Sequence, residues 1–236
     1  MVIPLNDTAS MGSAVLFYDS ETDDHPACFE PFLSIPSTSS TMDFKTVAAL
    51  AEEMGGMVVD GINDVFVAGT TVGRDYDTLL KGIKLTYDVW MTRVPELWAH
   101  VPPEYISLLS LNWQPIGRLW ASGSKSSNPV VGNPLGVDVA KKGTYLAWAE
   151  VVEWPDKEDN AAVDRWVRET TAAINDAAKA AGIWDAFMYM GDAAGFQDVF
   201  SGYGEKNVKR LRGISRAYDP DRVFQKLLPG GFKIGA

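Results

Sequence analysis

The chain has 236 residues, 46% hydrophobic and 22% charged, an ordinary globular composition that excludes extended disorder. Its single cysteine, Cys28, excludes an internal disulfide framework. With 21 Lys and Arg against 31 Asp and Glu the net charge is −10, which argues against a nucleic-acid partner and against an anionic membrane surface.

No apolar run approaches the roughly 18 residues of a spanning helix, and Met1 to Ser10 lacks the basic and apolar regions of a secretory signal. A soluble, cytoplasmic protein is the expectation. The only histidines, His25 and His100, are far apart in sequence, so a zinc site built on paired nitrogen or sulfur ligands is not expected. Asp23, Asp24 and His25 read as a polar turn, and no metal is assigned.

Val15 to Tyr18 reads as a short buried strand, followed by a turn and a brief helix around Phe29 to Leu33. Ser40, with Asp43 three residues on, resembles a capping box for a helix through Phe44, Val47, Ala51 and Met54 that stops at Gly55-Gly56. Met57 to Val72 is β-branched, with Asp64 to Ala68 its clearest strand. Asp75 caps a long helix with the stripe Leu79, Leu80, Ile83, Tyr87, Trp90, Val94, Leu97. Pro95 should kink or break its last turn. Tyr105 to Gln114 is a strand and Ser122 to Pro134 a loop. Thr144 to Trp154 is the best strand. A helix follows from about Lys157 to Ala181, closed by Gly182. Phe187 to Met190 reads as a last strand and Asn207 to Ala217 as a last helix. The order is not a strict β-α-β alternation. It predicts an α+β fold in one domain over 1–236, an antiparallel sheet covered on one face by helices.

The C-terminal stretch carries a pattern: Tyr203-Gly204-Glu205-Lys206-Asn207, Leu211-Arg212, Tyr218-Asp219-Pro220, Val223-Phe224-Gln225 and Pro229-Gly230-Gly231-Phe232-Lys233. It resembles the terminus of fungal FAD-linked oxidases of the berberine-bridge-enzyme type. Phe29-Glu30-Pro31-Phe32 and Gly132-Asn133-Pro134-Leu135-Gly136 are similar to that family's substrate domain. The resemblance implies a substrate-domain-like body over residues 13–190 and an oxidase-like terminal segment over 191–236. It also implies that the flavin is held mainly by an N-terminal domain which this sequence does not contain. No G-x-G-x-x-G phosphate loop occurs, and Gly191-Asp192-Ala193 replaces an Asn-Tyr-Ala-like segment that family members place near the flavin. No cofactor is therefore expected, and FAD only if a partner chain supplies the missing domain.

Strand alternation puts Thr144, Leu146, Trp148, Glu150, Val152 and Trp154 on one side, and Tyr145, Ala147, Ala149, Val151 and Glu153 on the other. The small residues of the second set suit helix cover, so the first set is expected to face a pocket. There Glu150, beside Trp148 and Val152, would be a desolvated general acid or base. The alternative is a solvent-facing glutamate, or one paired with Arg118 or Lys141. Ser110, Asn112 and Gln114 share a face and could polarise a substrate carbonyl, with Asn112 and Gln114 binding its oxygens. The alternative is an exposed edge strand. Trp90 and Trp166 read as core. Trp113, Trp120, Trp148 and Tyr189, with Ser110 and Asp192, are the substrate-binding candidates.

Three readings stay open. The first is a flavin-independent secondary-metabolite enzyme (a cyclase, pericyclase or isomerase) acting on a polyketide- or terpenoid-like small molecule. The second is half of a split or truncated FAD-dependent oxidoreductase, which bound flavin would favour. The third is a non-catalytic ligand-binding module, which would release its ligand unchanged. Phe224, Leu227, Leu228 and Phe232 need an apolar surface, either their own sheet or the second subunit of a homodimer.

Overall fold

The computed structural model of the chain describes residues 1–56, 58–127 and 133–235. Five strands, β1 (Val2–Pro4), β2 (Ser10–Gly12), β3 (Asn63–Gly73), β4 (Leu108–Ile116) and β5 (Thr144–Trp154), form one sheet in the order β2-β1-β4-β5-β3. Every pairing is antiparallel. The helices are α1 (Glu30–Leu33), α2 (Val47–Gly55), α3 (Tyr76–Trp98), α4 (Arg118–Ser127), α5 (Val139–Lys142), α6 (Asn160–Ala180), α7 (Glu205–Tyr218) and α8 (Val223–Lys226). The α+β architecture is as the sequence predicts.

Helices α3 and α6 cover one face of the sheet. Asp75 caps α3 by accepting from the Thr78 N–H at 2.8 Å, as its side chain and position predict. The stripes of both helices bury Trp90, Val94, Leu97, Val163, Trp166, Val167 and Ile174 against Val67, Leu111, Trp148 and Val152. Each such fully buried apolar side chain contributes about 1.5–3 kcal/mol relative to exposure. Two glycines permit the close approach. A Cβ at Gly69 would lie 2.1 Å from the Trp148 ring, and one at Gly82 would lie 2.8 Å from Thr71 Oγ1.

A second cluster sits on the opposite face, at the start of β5. Tyr145 packs there with Val137, Phe187, Val199 and Tyr203, and Val208, Leu211 and Phe232 close over them. The free edge of β3 is covered too. Val72 N–H donates to Ile183 C=O and Asp185 N–H to Thr70 C=O. The Gln197 side-chain amide holds both the N–H (2.9 Å) and the C=O (2.7 Å) of Ala68. An edge occupied in this way cannot template pairing with another chain.

Several expectations are corrected. Val15 to Tyr18 is not a strand but irregular chain in which Val15, Phe17 and Tyr18 are exposed, and the first strands are the three-residue β1 and β2. Helix α2 starts at Val47, capped by Thr46, whose hydroxyl accepts from the Ala49 N–H, so Ser40 and Asp43 do not begin it. Pro95 does not break α3, which runs on to Trp98. The expected loop from Ser122 opens inside α4; its residues 128–132 lie outside the described residues. Phe187 to Met190 is irregular, and β3 is joined instead by an isolated bridge from Thr71 to Trp184. Helix α7 is followed by α8, whose first amides donate to Asp219. Phe232 covers its own sheet, whereas Phe224, Leu227 and Leu228 stay exposed at 62%, 75% and 55%.

Among the described residues no helix is long and apolar enough to cross a membrane, and no His/Cys/Asp/Glu group is placed to hold a metal.

Candidate functional site

The largest correction concerns which way β5 faces. Glu150 pairs in register with Val67 and Leu111, and Trp148 with Gly69 and Trp113. All of these point beneath α3 and α6. Trp113 donates its indole N–H to Thr86 Oγ1 of α3 at 2.9 Å. Trp148 and Glu150 are 1% and 0% exposed. The expectation that Glu150, Trp148 and Trp113 line a pocket therefore fails. The physical reason is that β5 is a central strand buried on both faces, so polar-apolar alternation no longer marks the solvent side.

Glu150 is a sealed acid. Burial pushes its carboxyl well above the usual carboxylate range; the Trp90 indole and the Arg93 charge oppose this without overcoming it. Among the described residues neither carboxyl oxygen meets a donor at hydrogen-bond geometry, and the Trp90 and Trp148 indole nitrogens are likewise without partners. Neither Arg118 nor Lys141 pairs with it. Arg93 spends itself on Glu96 (2.9 Å), Glu169 (3.1 Å) and the Thr170 hydroxyl (3.0 Å). A neutral glutamic acid in a core is stable only while it keeps its proton.

The opposite, outer face holds the other candidates. Ser110, Asn112 and Gln114 lie there with Ala147, Ala149 and Val151 as register partners. Strand β4 is flanked by β5 along its length but by the short β1 only around Leu111, so the edge-strand alternative fails at the buried Ser110 and holds at the exposed Gln114. Asn112 directs its amide N–H groups inward, to Ser110 Oγ at 3.2 Å and to the Ala149 carbonyl at 3.4 Å. Gln114 Nε2 donates to Asp192 Oδ2 at 2.7 Å. Asp192 sits on a short turn, Met190–Asp192, brought there because the chain leaving α6 folds back along β3. Burial raises the Asp192 carboxyl above the ordinary aspartate range, and the Gln114 hydrogen bond opposes that rise. Tyr189 opens the same turn and is 45% exposed; a Cβ on Gly191 would lie 2.9 Å from its ring.

Four sequence candidates thus share one face: Ser110, Asn112, Gln114 and, through its hydrogen bond, Asp192, with Tyr189 at the start of the Asp192 turn. Trp148, Trp113 and Glu150 lie on the other. Trp120 is 53% exposed on α4 and touches neither group through a hydrogen bond or ring contact among the described residues.

The chemistry of the outer face differs from the expected polarisation of a carbonyl. Both Asn112 N–H groups are committed, and one of Gln114's is. Asn112 Oδ1, Gln114 Oε1 and Asp192 Oδ1 make no hydrogen bond among the described residues. The face therefore offers acceptors, and it suits ligands that donate, such as hydroxyls or amines. Residue types alone could not reveal this, because an amide presents donor and acceptor alike until its partners are known.

A flavin nucleotide needs cations or a glycine-rich turn for its pyrophosphate. None of the residues that β3, β4 and β5 direct to this face is Lys or Arg. The outer-face residues do not fit the whole cofactor, and no redox step is assigned to them.

No protein-family profile matches the chain, and no solved structure matches it. Curated relatives do. The chain is 25% identical over 233 residues to the FAD-dependent monooxygenase drtC of Aspergillus calidoustus, covering 94% of this chain and 40% of that one. It is 36% identical over 103 residues to the FAD-dependent monooxygenase FUP4 of Fusarium proliferatum, covering 44% of this chain and 20% of that one. A third relative, oligopeptidase PhomG' of Diaporthe leptostromiformis, is 27% identical over 225 residues, covering 93% of this chain and 17% of that one. The chain spans less than half the length of each. What it shares with two of them is part of a protein named for FAD.

Proposed function

We propose that this chain carries the substrate-side half of an FAD-dependent oxidoreductase acting on a secondary metabolite that bears hydroxyl or amine groups. The observation that carries the reading is the outer face: an acceptor row of Asn112, Gln114 and Asp192, with an exposed Tyr189 at the start of the Asp192 turn. It is a wall rather than an enclosed site. Two clefts open elsewhere on the surface, at Arg74, Lys142 and Trp184 and along α7. A wall needs a facing surface to exclude water and to fix a substrate. The likeness to part of FAD-dependent monooxygenases supports a flavin-bearing facing surface.

In this reading FAD, its flavin ring held by residues beyond those described, supplies the redox centre. The residues of this chain bind and orient. Asp192 Oδ1 accepts from a substrate hydroxyl or amine, while Gln114 fixes the carboxylate by holding Oδ2. Asn112 Oδ1 takes a second donor, and its orientation is locked by Ser110 and the Ala149 carbonyl. Tyr189 offers a ring edge and a hydroxyl. The flavin-independent cyclase loses its carrying group, because Glu150 cannot touch a substrate without α3 and α6 parting from the sheet.

Allele replacement in the producing organism tests this, reading the metabolite that disappears when the gene is deleted. Asp192→Asn and Asn112→Leu should lower the product about tenfold or more, the loss expected for a buried hydrogen bond to a charged or polar partner. Glu150→Gln should leave it nearly unchanged. Loss of product in Glu150→Gln from a folded protein, with Asp192→Asn unaffected, would return the chemistry to the covered face.

A further inference from the structure

Charge is distributed unevenly along this chain. Residues 203–236 hold eight Lys and Arg against three Asp and Glu, a net +5, while residues 1–202 hold 13 cations against 28 anions. The cations concentrate on α7. Lys209, Arg212 and Arg216 recur at steps of three and four, so one helical face presents all three over about 10 Å of axis. All three are exposed. Among the described residues none forms a salt bridge. Among those residues Lys209 and Arg216 also have no hydrogen-bond partner, and Arg212 uses only its Nε, on the Ile234 carbonyl at 3.1 Å.

These three line a cleft of about 560 Å³ with Asp198, Phe200, Ser201, Glu205 and Val208. That volume falls in the usual range of small-ligand sites, about 300–1,000 Å³. Phe200 and Val208 are half-buried and give it an apolar floor. Asp198 is occupied within its own turn, where its carboxylate accepts the Ser201 N–H at 3.2 Å. Glu205 lines the cleft one turn before Lys209 but forms no salt bridge among the described residues, so the three cations repel one another across the cleft wall and a bound anion removes that repulsion.

We infer that the cleft between Phe200 and α7 binds a nucleoside diphosphate, its phosphates on Lys209, Arg212 and Arg216 and its base against Phe200 and Val208. The guanidinium forks suit phosphate oxygens in a bidentate manner, and the aromatic floor suits a planar base. The size of the cleft favours a small ligand over an acidic protein surface. The ligand chemistry has two sources, a free nucleotide or the adenosine diphosphate end of a dinucleotide. This inference is independent of the outer face.

The experiment is calorimetric titration of the full chain with ADP, adenosine and FAD at low and at physiological salt. ADP should bind, adenosine should bind at least about tenfold more weakly, and added salt should weaken ADP. The double variant Lys209→Ala/Arg216→Ala should lose about tenfold or more in ADP affinity. Lys206→Ala, on the same helix but outside the cleft, should bind as the parent does. Circular dichroism confirms that both variants fold. FAD competing with ADP for one site identifies a dinucleotide as the source; ADP binding without FAD competition identifies a free nucleotide. No ADP binding, equal binding of adenosine, or a double variant indistinguishable from Lys206→Ala would overturn the inference.

Discussion

The Gln114 side-chain amide reaches across 78 residues of sequence to donate to Asp192 Oδ2 at 2.7 Å. The hydrogen bond fixes a carboxyl that burial has already moved toward its protonated form. Gln114→Leu should therefore raise the Asp192 pKa further, because it removes the one contact that favours the charged form. Carbon-detected NMR titration of the Asp192 carboxyl reads this directly; an unchanged or lower value contradicts the assignment. The native state holds the Asp192 proton to higher pH than the unfolded chain, so this group's contribution to stability declines as pH rises from about 3.9 to the native value.

Glu150 makes the same argument more strongly. Its carboxyl is fully buried, pushed well above the ordinary range despite the opposing Trp90 indole, and among the described residues it meets no donor at hydrogen-bond geometry. From about pH 4.3 up to the raised native value the unfolded chain has released this proton while the folded chain still binds it. Stability should fall across that window and level off above it. Glu150→Gln should remove the descent and make the protein more stable at neutral pH. Urea unfolding across a pH series checks this, and an unaltered pH slope in the variant would refute it.

The close approach of β3 to the Trp148 ring makes Gly69 irreplaceable by size alone. A Cβ there would sit 2.1 Å from ring carbon, so Gly69→Ala should cost about 1–3 kcal/mol through forced repacking. Denaturant midpoints measure it; a neutral substitution would mean that the ring can turn aside.

Gln197 acts as a clasp on the open edge of β3 by pairing with both backbone groups of Ala68 and by accepting the Ala194 N–H at 3.0 Å. Gln197→Leu leaves those groups unpaired in a nearly closed site and should cost about 1–3 kcal/mol. Hydrogen exchange at the Ala68 amide should accelerate more than at the interior of β5. Equal acceleration everywhere would mean that Gln197 stabilises the fold globally rather than this edge.

Much of the architecture is legible in the residues. Helices α3 and α6 announce themselves through long stripes, Asp75 and Gly182, and β5 through an apolar run from Tyr145 to Trp154 that is interrupted only by Glu150 and Glu153. The facing of β5 is not legible, because both its sides are buried and the small residues Ala147 and Ala149 read equally as a helix seat or a site floor. The glycine partners are the informative signal: Gly69 opposite Trp148 and Gly82 opposite Thr71 mark the crowded side, once the register is known. Strands β1 and β2 are too short, and β1 includes Pro4, so no periodicity identifies them. The polar row on β4 is recognisable from Ser110, Asn112 and Gln114. Its pairing with Asp192 is not, since the contact depends on the path the chain takes after α6. Gln197 carries no local signal at all, because a glutamine that pairs with a strand edge looks like any surface glutamine.

The flavin content of the protein isolated from its natural source, set beside that of the same chain expressed alone, tests the central claim most directly. The account predicts flavin near one equivalent in the natural material, held by polypeptide beyond the described residues, and none at stoichiometric level in the chain alone. Natural material free of flavin that still converts its substrate would contradict the account and leave a cofactor-independent enzyme in its place.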